Sequence, residues 1–74
     1  MDLAIIGHRL KLARVDKCLT LAELAKLTGV TNVTISRLEN GKHYPTLYTV
    51  ARLAEALDIR LSDLFEEGKD ENVR

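Results

Sequence analysis

Two histidines and one cysteine are the side chains in this 74-residue sequence with the clearest capacity for catalysis or metal binding. A metal site needs several His, Cys or carboxylate ligands at short spacing, but His8, Cys18 and His43 stand far apart without such partners. A phosphate-binding glycine-rich loop after a strand, and a nucleophile beside a base, are also missing from the sequence. We therefore expect no enzyme activity, no metal and no cofactor.

The remaining polar side chains favour a binding protein over an enzyme, and their charges are unevenly distributed along the chain. Residues 1–60 carry nine Lys/Arg against six Asp/Glu, whereas residues 61–74 carry two against five. A basic excess suits contact with a polyanion, although a solvated helix face can produce the same asymmetry. The chain as a whole has no net charge.

Apolar spacing and capping residues predict five helices that would hold these groups in place. In the second, Thr20 and Glu23 form a capping box, and Gly29 ends the helix. The short connection at Gly29-Val30 makes the second and third helices meet steeply, as in a helix-turn-helix. The predicted segments and their inward residues are 2–16 (Ile6, Leu10, Ala13), 20–28 (Leu24, Ala25), Thr31 to Asn40-Gly41 (Ile35, Leu38), 46–57 (Leu47, Val50, Leu53, Ala54, Leu57) and 61–67 (Leu61, Leu64, Phe65).

Length and composition indicate one intracellular domain. Residues 1–67 are expected to form a single core, followed by a disordered polar tail at 68–74. A single cysteine excludes an internal disulfide and fits a reducing cytoplasm. No signal sequence or membrane-spanning apolar run is evident, so we expect a cytoplasmic protein without a membrane partner.

An ordered set of residues at consistent spacings spans most of the chain. These residues are Ile6-Gly7, Leu10, Arg14, Leu19-Thr20, Glu23-Leu24-Ala25, Gly29-Val30-Thr31, the run from Ile35 to Lys42, Pro45-Thr46-Leu47 and the run from Leu53 to Leu57. Over about residues 5–65 the set resembles the Cro and phage-repressor (XRE) class of helix-turn-helix proteins. The resemblance implies an all-α, compact, five-helix, lambda-repressor-like DNA-binding domain whose third helix enters the major groove.

The resemblance also implies which residues contact the bases. Asn32 suits adenine, Arg37 suits guanine, and Val33 suits the thymine methyl group. The alternative for Arg37 is a phosphate contact or simple solvation of the helix face. The full set of base-reading candidates is Asn32, Val33, Ser36 and Arg37, with Thr34 a weaker one; the first four lie opposite the inward Ile35 and Leu38.

Phosphate contacts are expected around the recognition helix. Backbone N–H groups at the starts of the second and third helices favour anions. Tyr48 has an equally good alternative, which is packing on the fourth helix. The phosphate-binding candidates are Thr20, Thr31, Asn40, Lys42, His43, Tyr44 and Tyr48. The resemblance further implies a structural ion pair between Arg14 and Glu39.

Two positions depart from the family pattern. Leu21 stands where relatives carry a phosphate-binding Gln, and with Leu27 it could form an apolar strip for a partner. Cys18 stands where relatives often have Gly, so a left-handed backbone there would cost about 1 kcal/mol. A small half-buried side chain is the favoured role for Cys18, with a redox sensor as the alternative.

The expected function is repression of transcription by a homodimer on an inverted-repeat operator in double-stranded DNA. The predicted dimer surface comprises Ile59, Leu61, Leu64 and Phe65, some of which must instead close the monomer core. One alternative is a protein-interaction module, such as an antitoxin subunit or an adaptor. Another is a controller protein of a restriction-modification system, which would differ from other repressors only in the operon that it serves.

Overall fold

Five helices make up the part of the chain that the computed structural model describes, residues 2–65. They are α1 (Leu3–Asp16), α2 (Leu21–Thr28), α3 (Asn32–Glu39), α4 (Leu47–Leu57) and α5 (Leu61–Phe65). The predicted all-α, five-helix fold is thereby confirmed. The predicted end of the fifth helix at residue 67, the domain boundary there and the expected tail at 68–74 lie outside the described residues.

Side-chain caps explain where the helices begin. The Thr20 hydroxyl accepts the backbone N–H of Glu23 at 3.0 Å, and the Glu23 carboxylate accepts that of Thr20 at 2.8 Å, which completes the predicted capping box. Thr31 and Thr46 cap α3 and α4 in the same way, each accepting a backbone N–H three residues ahead. Local sequence therefore sets the starts of the two helices that form the helix-turn-helix.

The turn between α2 and α3 is held by its own backbone and by a side chain from α4. Gly29 has a φ of 78°, in the left-handed region that glycine enters without a Cβ penalty. The buried Thr28 hydroxyl donates to the Leu24 carbonyl at 2.8 Å and accepts the Val30 N–H at 3.1 Å. Arg52 donates from Nε to the Thr28 carbonyl at 2.8 Å. These bonds fix the direction in which α3 leaves the turn.

The core lies between α1, α2, α3 and α4 and is completed by α5. Leu24, Ile35 and Leu53 are among its fully buried side chains. Gly7 lets α1 approach the end of α3 closely, because a Cβ there would meet the Leu38 carbonyl and lie 2.8 Å from that of Glu39. The buried hydrophobic residues are Ile6, Leu10, Leu24, Ile35, Leu38, Val50, Leu53, Ala54, Leu57 and Leu64.

Three predicted placements are wrong. Leu47, expected to face inward, is 67% exposed because the first turn of α4 extends past the core. Cys18, expected to be half-buried, is exposed, and its φ of 58° is left-handed, the conformation in which a residue other than glycine carries a cost. Leu64, predicted both as an inward residue of the fifth helix and as part of a dimer surface, is buried at 1% exposure because α5 folds back onto α1 and α4, so the inward placement is confirmed and the surface placement is wrong. The structure therefore removes Leu64 from any intermolecular surface.

Candidate nucleic-acid interface

The two faces of α3 have different surroundings. Ile35 and Leu38 are buried at 1% and 3% exposure and anchor the helix to the core. Asn32, Val33 and Arg37 lie on the solvent side, and Val33 is 66% exposed although it is apolar. The outer face of α3 thus presents an amide and an aliphatic side chain in its first turn and a guanidinium in its last turn.

The two smaller candidates on α3 are less available. Thr34 is half-buried, and its hydroxyl accepts a hydrogen bond from the Thr31 hydroxyl at 3.0 Å. Ser36 is also half-buried, and its backbone carbonyl accepts a hydrogen bond from the Asn40 side-chain amide at 2.8 Å. Thr34 and Ser36 therefore lie on the same helix as the exposed candidates, but their short, half-buried side chains extend less far toward a DNA base.

The starts of α2 and α3 differ in charge. At α2 the Glu23 carboxylate already accepts the Thr20 N–H, which places a negative charge where a phosphate is expected. The first turn of α3, after Thr31, contains no acidic residue. Because a helix N-terminus favours anions, α3 offers the better phosphate position of the two.

The loop after α3 is tightly folded and exposes a lysine. The Asn40 side chain bonds back to α3, so it caps the helix, and Gly41 adopts a φ of 69°. The Lys42 backbone N–H donates to the Arg37 carbonyl at 2.8 Å. The Lys42 side chain is exposed. His43 is half-buried and Tyr44 is 77% exposed. Of these residues, Lys42 and Tyr44 have the freest access to a DNA strand.

Tyr48 lies on the surface together with a residue that the sequence analysis does not single out. Tyr48 is 69% exposed and packs along α4 against Arg52, so its position fits both predicted roles, a phosphate contact and packing on the fourth helix. Arg52 donates from Nη1 to the Tyr48 hydroxyl at 3.0 Å, and its guanidinium lies 5.6 Å from the ring centre. The four-residue spacing of the two on one helix was the available sequence signal. Arg52 joins Tyr48 to the Thr28 carbonyl at the turn.

An ion pair connects α1 to the end of α3. Arg14 binds Glu39 through two contacts, Nε to Oε2 at 2.7 Å and Nη2 to Oε1 at 3.1 Å, and donates from Nη1 to the Leu19 carbonyl at 2.7 Å. The two side chains are only 12% and 5% exposed. The hydrogen bond to Glu39 raises the pKa of Arg14, with burial opposing it. The pair therefore holds α3 immediately before the 40–42 loop.

The remaining candidates are scattered. Leu21 is half-buried against the core while Leu27 is 61% exposed, so no broad strip forms on α2. Ile59, Leu61 and Phe65 are half-buried and pack against the core.

Within residues 2–65 no group of three potential metal ligands occurs, and no helix is long and apolar enough to cross a membrane.

Comparison with known proteins places this geometry among transcriptional regulators. A family model described as helix-turn-helix matches residues 10–64. The transcriptional repressor RghR of Bacillus subtilis (strain 168) is 41% identical over 69 residues, which cover 90% of this chain and 51% of RghR. The chain thus spans about half of RghR. An uncharacterised helix-turn-helix regulator of Methanocaldococcus jannaschii, MJ0272, is 34% identical over 86% of this chain and 97% of its own length.

A solved structure of similar size has the same fold. The restriction-modification controller protein C.AhdI from Aeromonas hydrophila superposes with a TM-score of 0.83 at 36% sequence identity. The match covers 86% of this chain and 97% of that one. The similarity therefore extends over nearly the whole controller protein as well as over most of this chain.

Proposed function

The chain belongs to the helix-turn-helix family, and we propose that it is a DNA-binding transcriptional regulator that reads double-stranded operator DNA through α3. The exposed first turn and outer face of α3 carry this proposal. Asn32 and Arg37 supply groups that match adenine and guanine edges, and Val33 suits a thymine methyl group. The buried Ile35 and Leu38 keep that face directed outward.

Repression by a homodimer is the more specific form of the proposal. A single short recognition helix reads only a few base pairs, so one copy would discriminate poorly among sites in a genome. Two copies related by a two-fold axis would read an inverted repeat with half-sites about one DNA turn apart. The match to RghR supports repression as the outcome.

The cytoplasm is the proposed location and no enzymatic step is proposed. The relatives are transcriptional regulators, a role without catalysis. The exposed, unpaired Cys18 thiol suits a reducing compartment.

Selection from a random duplex library tests the proposal. The wild type and Arg37→Ala are each taken through selection at low and at moderate salt. The wild type is expected to enrich an inverted repeat, and the variant is expected to lose or relax preference at one position in each half-site. Weak, salt-sensitive binding without enrichment, identical in both proteins, would refute the proposal and favour an adaptor or antitoxin role.

Control of a restriction-modification system is a second candidate within the same chemistry. The near-complete overlap with C.AhdI supports it. Mapping the enriched repeat onto the source genome separates the candidates. A site upstream of adjacent methyltransferase and endonuclease genes supports the controller role, and sites elsewhere support a general repressor.

A further inference from the structure

The Arg52 side chain extends from α4 to the turn between α2 and α3. Its Nε donates to the Thr28 carbonyl at 2.8 Å, and its Nη1 donates to the Tyr48 hydroxyl at 3.0 Å. A Cβ placed on Gly29 would lie 4.0 Å from its Nη2, so the third guanidinium nitrogen is also beside the turn. One side chain of α4 therefore contacts the point where the chain passes from α2 to α3.

The carbonyl that Arg52 binds is one that α2 itself cannot satisfy. Thr28 is the last residue of α2, and the last carbonyls of a helix have no donor within that helix. The Thr28 hydroxyl is already used, because it bonds to the Leu24 carbonyl and the Val30 N–H. The Arg52 guanidinium therefore gives the Thr28 carbonyl a partner and connects the turn to α4.

Tyr48 holds the guanidinium in the orientation that meets the turn. It lies one turn before Arg52 on α4, and the guanidinium carbon is 5.6 Å from its ring centre. A planar guanidinium that bonds two oxygen atoms in fixed directions loses less freedom per bond than a flexible ammonium does. Both acceptors are uncharged, so the direction of the donors rather than ion pairing determines this contact.

The opposite end of α3 is held by a second arginine, from α1. Arg14 binds Glu39, the last residue of α3, through contacts of 2.7 and 3.1 Å. A Cβ on Gly7 would lie 2.8 Å from the Glu39 carbonyl oxygen, which shows how closely α1 approaches this end. The end of α3 is therefore attached to α1, and the turn before its start is attached to α4 through Arg52.

We propose that Arg52 is a positioning residue for DNA recognition, which sets the angle of α3 through the turn and thereby places Asn32 and Val33 against their base pairs. This inference rests on the proposed function, because it concerns how α3 reads DNA. Arg52 acts through the Thr28 carbonyl, and its effect falls on side chains in the first turn of another helix.

The length of α3 converts a small rotation into a displacement that disrupts base recognition. The helix has eight residues, so it is about 12 Å long at 1.5 Å per residue. With its far end fixed, a rotation of about 5° moves its first turn by roughly 1 Å. A hydrogen bond of about 2.9 Å is lost when its atoms separate by that much. Arg37 lies in the last turn, near the fixed end, and moves much less.

The exposure of Arg52 separates this role from a general contribution to stability. Its side chain is on the surface of α4, where a hydrogen bond contributes little to the net free energy of folding. Ile35 and Leu38 anchor α3 to the core independently of Arg52. We therefore expect Arg52→Ala to fold with nearly the free energy of unfolding of the wild type, while the angle of α3 becomes less defined.

Base-pair specificity profiles of the full chain test the inference. Fluorescence anisotropy measures the affinity of each protein for the selected half-site and for duplexes with single base-pair changes. Asn32→Ala and Arg37→Ala first identify the base pairs that these two side chains read. Arg52→Ala is then expected to lose about fivefold or more of the preference at the Asn32 base pair and to keep the preference at the Arg37 base pair. The matched control is Lys11→Ala, which removes a positive charge from an exposed position on α1 and should keep both preferences.

Two conservative variants separate the geometry of the guanidinium from its charge. Tyr48→Phe keeps the ring and removes the hydroxyl acceptor, so it should show a smaller loss at the same base pair. Arg52→Lys keeps the charge but has one donor nitrogen, so it should restore only part of the preference. Full restoration by lysine would show that the charge alone matters and would overturn the inference.

Measurements without DNA separate failure of this inference from failure of the proposed function. In amide NMR spectra of the free proteins, Arg52→Ala should shift residues 29–33, besides its neighbours on α4, and leave residues 38–42 unchanged. An unfolded Arg52→Ala in urea denaturation, equal losses at both base pairs, or a uniform loss of affinity for all duplexes would overturn the inference. If neither Asn32→Ala nor Arg37→Ala relaxes any base preference, the proposed function is refuted, and shifts at residues 29–33 would still support the hold of Arg52 on the turn.

Discussion

At the scale of single residues, Arg37 and Lys42 are predicted to play different parts on DNA. Arg37 is exposed on the outer face of α3, whereas Lys42 lies in the following loop. Arg37→Ala should cost about 1–3 kcal/mol on the selected site and little on unrelated duplexes. Lys42→Ala should weaken both equally and reduce the slope of log K against log salt by about 1. Fluorescence anisotropy titrations at several salt concentrations measure both effects, and identical behaviour of the two variants would contradict this assignment.

Arg14 is predicted to stabilise the fold without contacting DNA. It makes two contacts to a Glu39 side chain that is only 5% exposed, so Arg14→Ala leaves a buried carboxylate uncompensated. The expected loss is about 3 kcal/mol in the free energy of unfolding, measured by urea denaturation. The double variant Arg14→Met/Glu39→Leu should be less damaging because neither charge remains. A loss below about 0.5 kcal/mol for Arg14→Ala would show that the pair is not important for stability.

The pH dependence of this ion pair follows from the raised pKa of Arg14. A cationic group with a raised folded-state pKa contributes stability below its unfolded pKa and loses it as pH rises past the folded value. For a guanidinium both values lie in strong alkali. Arg14 should therefore give no change in stability between mildly acidic and mildly basic pH.

The left-handed backbone at Cys18 is predicted to lower the free energy of unfolding slightly. Its φ of 58° is left-handed, and its side chain is exposed, so glycine would relieve backbone strain without creating a cavity. Cys18→Gly should raise the free energy of unfolding by about 1 kcal/mol. Thermal melting compares it with Cys18→Ser, which keeps the Cβ and should leave stability nearly unchanged. Equal stability of the glycine and serine variants would exclude strain at this position.

At the scale of helices, the close approach of α1 to α3 should be the most sensitive packing feature. A Cβ at Gly7 would meet the backbone carbonyls of Leu38 and Glu39, which cannot rotate away. Gly7→Ala should destabilise the fold by roughly 2 kcal/mol or more. Gly29→Ala is the matched control, because its nearest neighbour is 4.0 Å away and only the left-handed φ, costing about 1 kcal/mol, opposes it. A milder effect at Gly7 than at Gly29 would contradict the observed packing.

The helix boundaries could be predicted because local side chains set them. Thr20, Thr31 and Thr46 each cap a helix through their own hydroxyl, and Gly29 ends α2 in a left-handed conformation. These interactions span a few residues and are visible as sequence patterns. Leu47 was misplaced because periodicity gives the face of a helix but not how far the core extends along it.

At the scale of the molecule, contacts between distant segments could be predicted only where family resemblance supplied them. The resemblance gave the Arg14–Glu39 pair, which joins residues 25 positions apart. No local sequence pattern predicts the hydrogen bond from Arg52 to the Thr28 carbonyl, which lies 24 positions away. The burial of Leu64 also depends on how α5 returns to α1 and α4, which apolar spacing does not specify. Surfaces were therefore predicted less well than helices.

The surface proposed to contact DNA and the core use opposite sides of α3. The outer face of α3 is the proposed base-reading surface, whereas Ile35 and Leu38 on its other side are buried in one small core. Substitutions on the outer face should therefore change DNA recognition with little effect on the free energy of unfolding.

The measurement that tests the central claim most directly is an amide NMR titration of the folded chain with the selected half-site duplex. The largest shifts should fall on residues 31–37 and 40–42, with the start of α2 next, and Leu12 and Val15 on the outer face of α1 should change little. Arg37→Ala should reduce the discrimination between selected and scrambled duplexes without shifting the unbound spectrum beyond its neighbours. Shifts centred on α1 or α5, with α3 unaffected, would contradict recognition of DNA by α3.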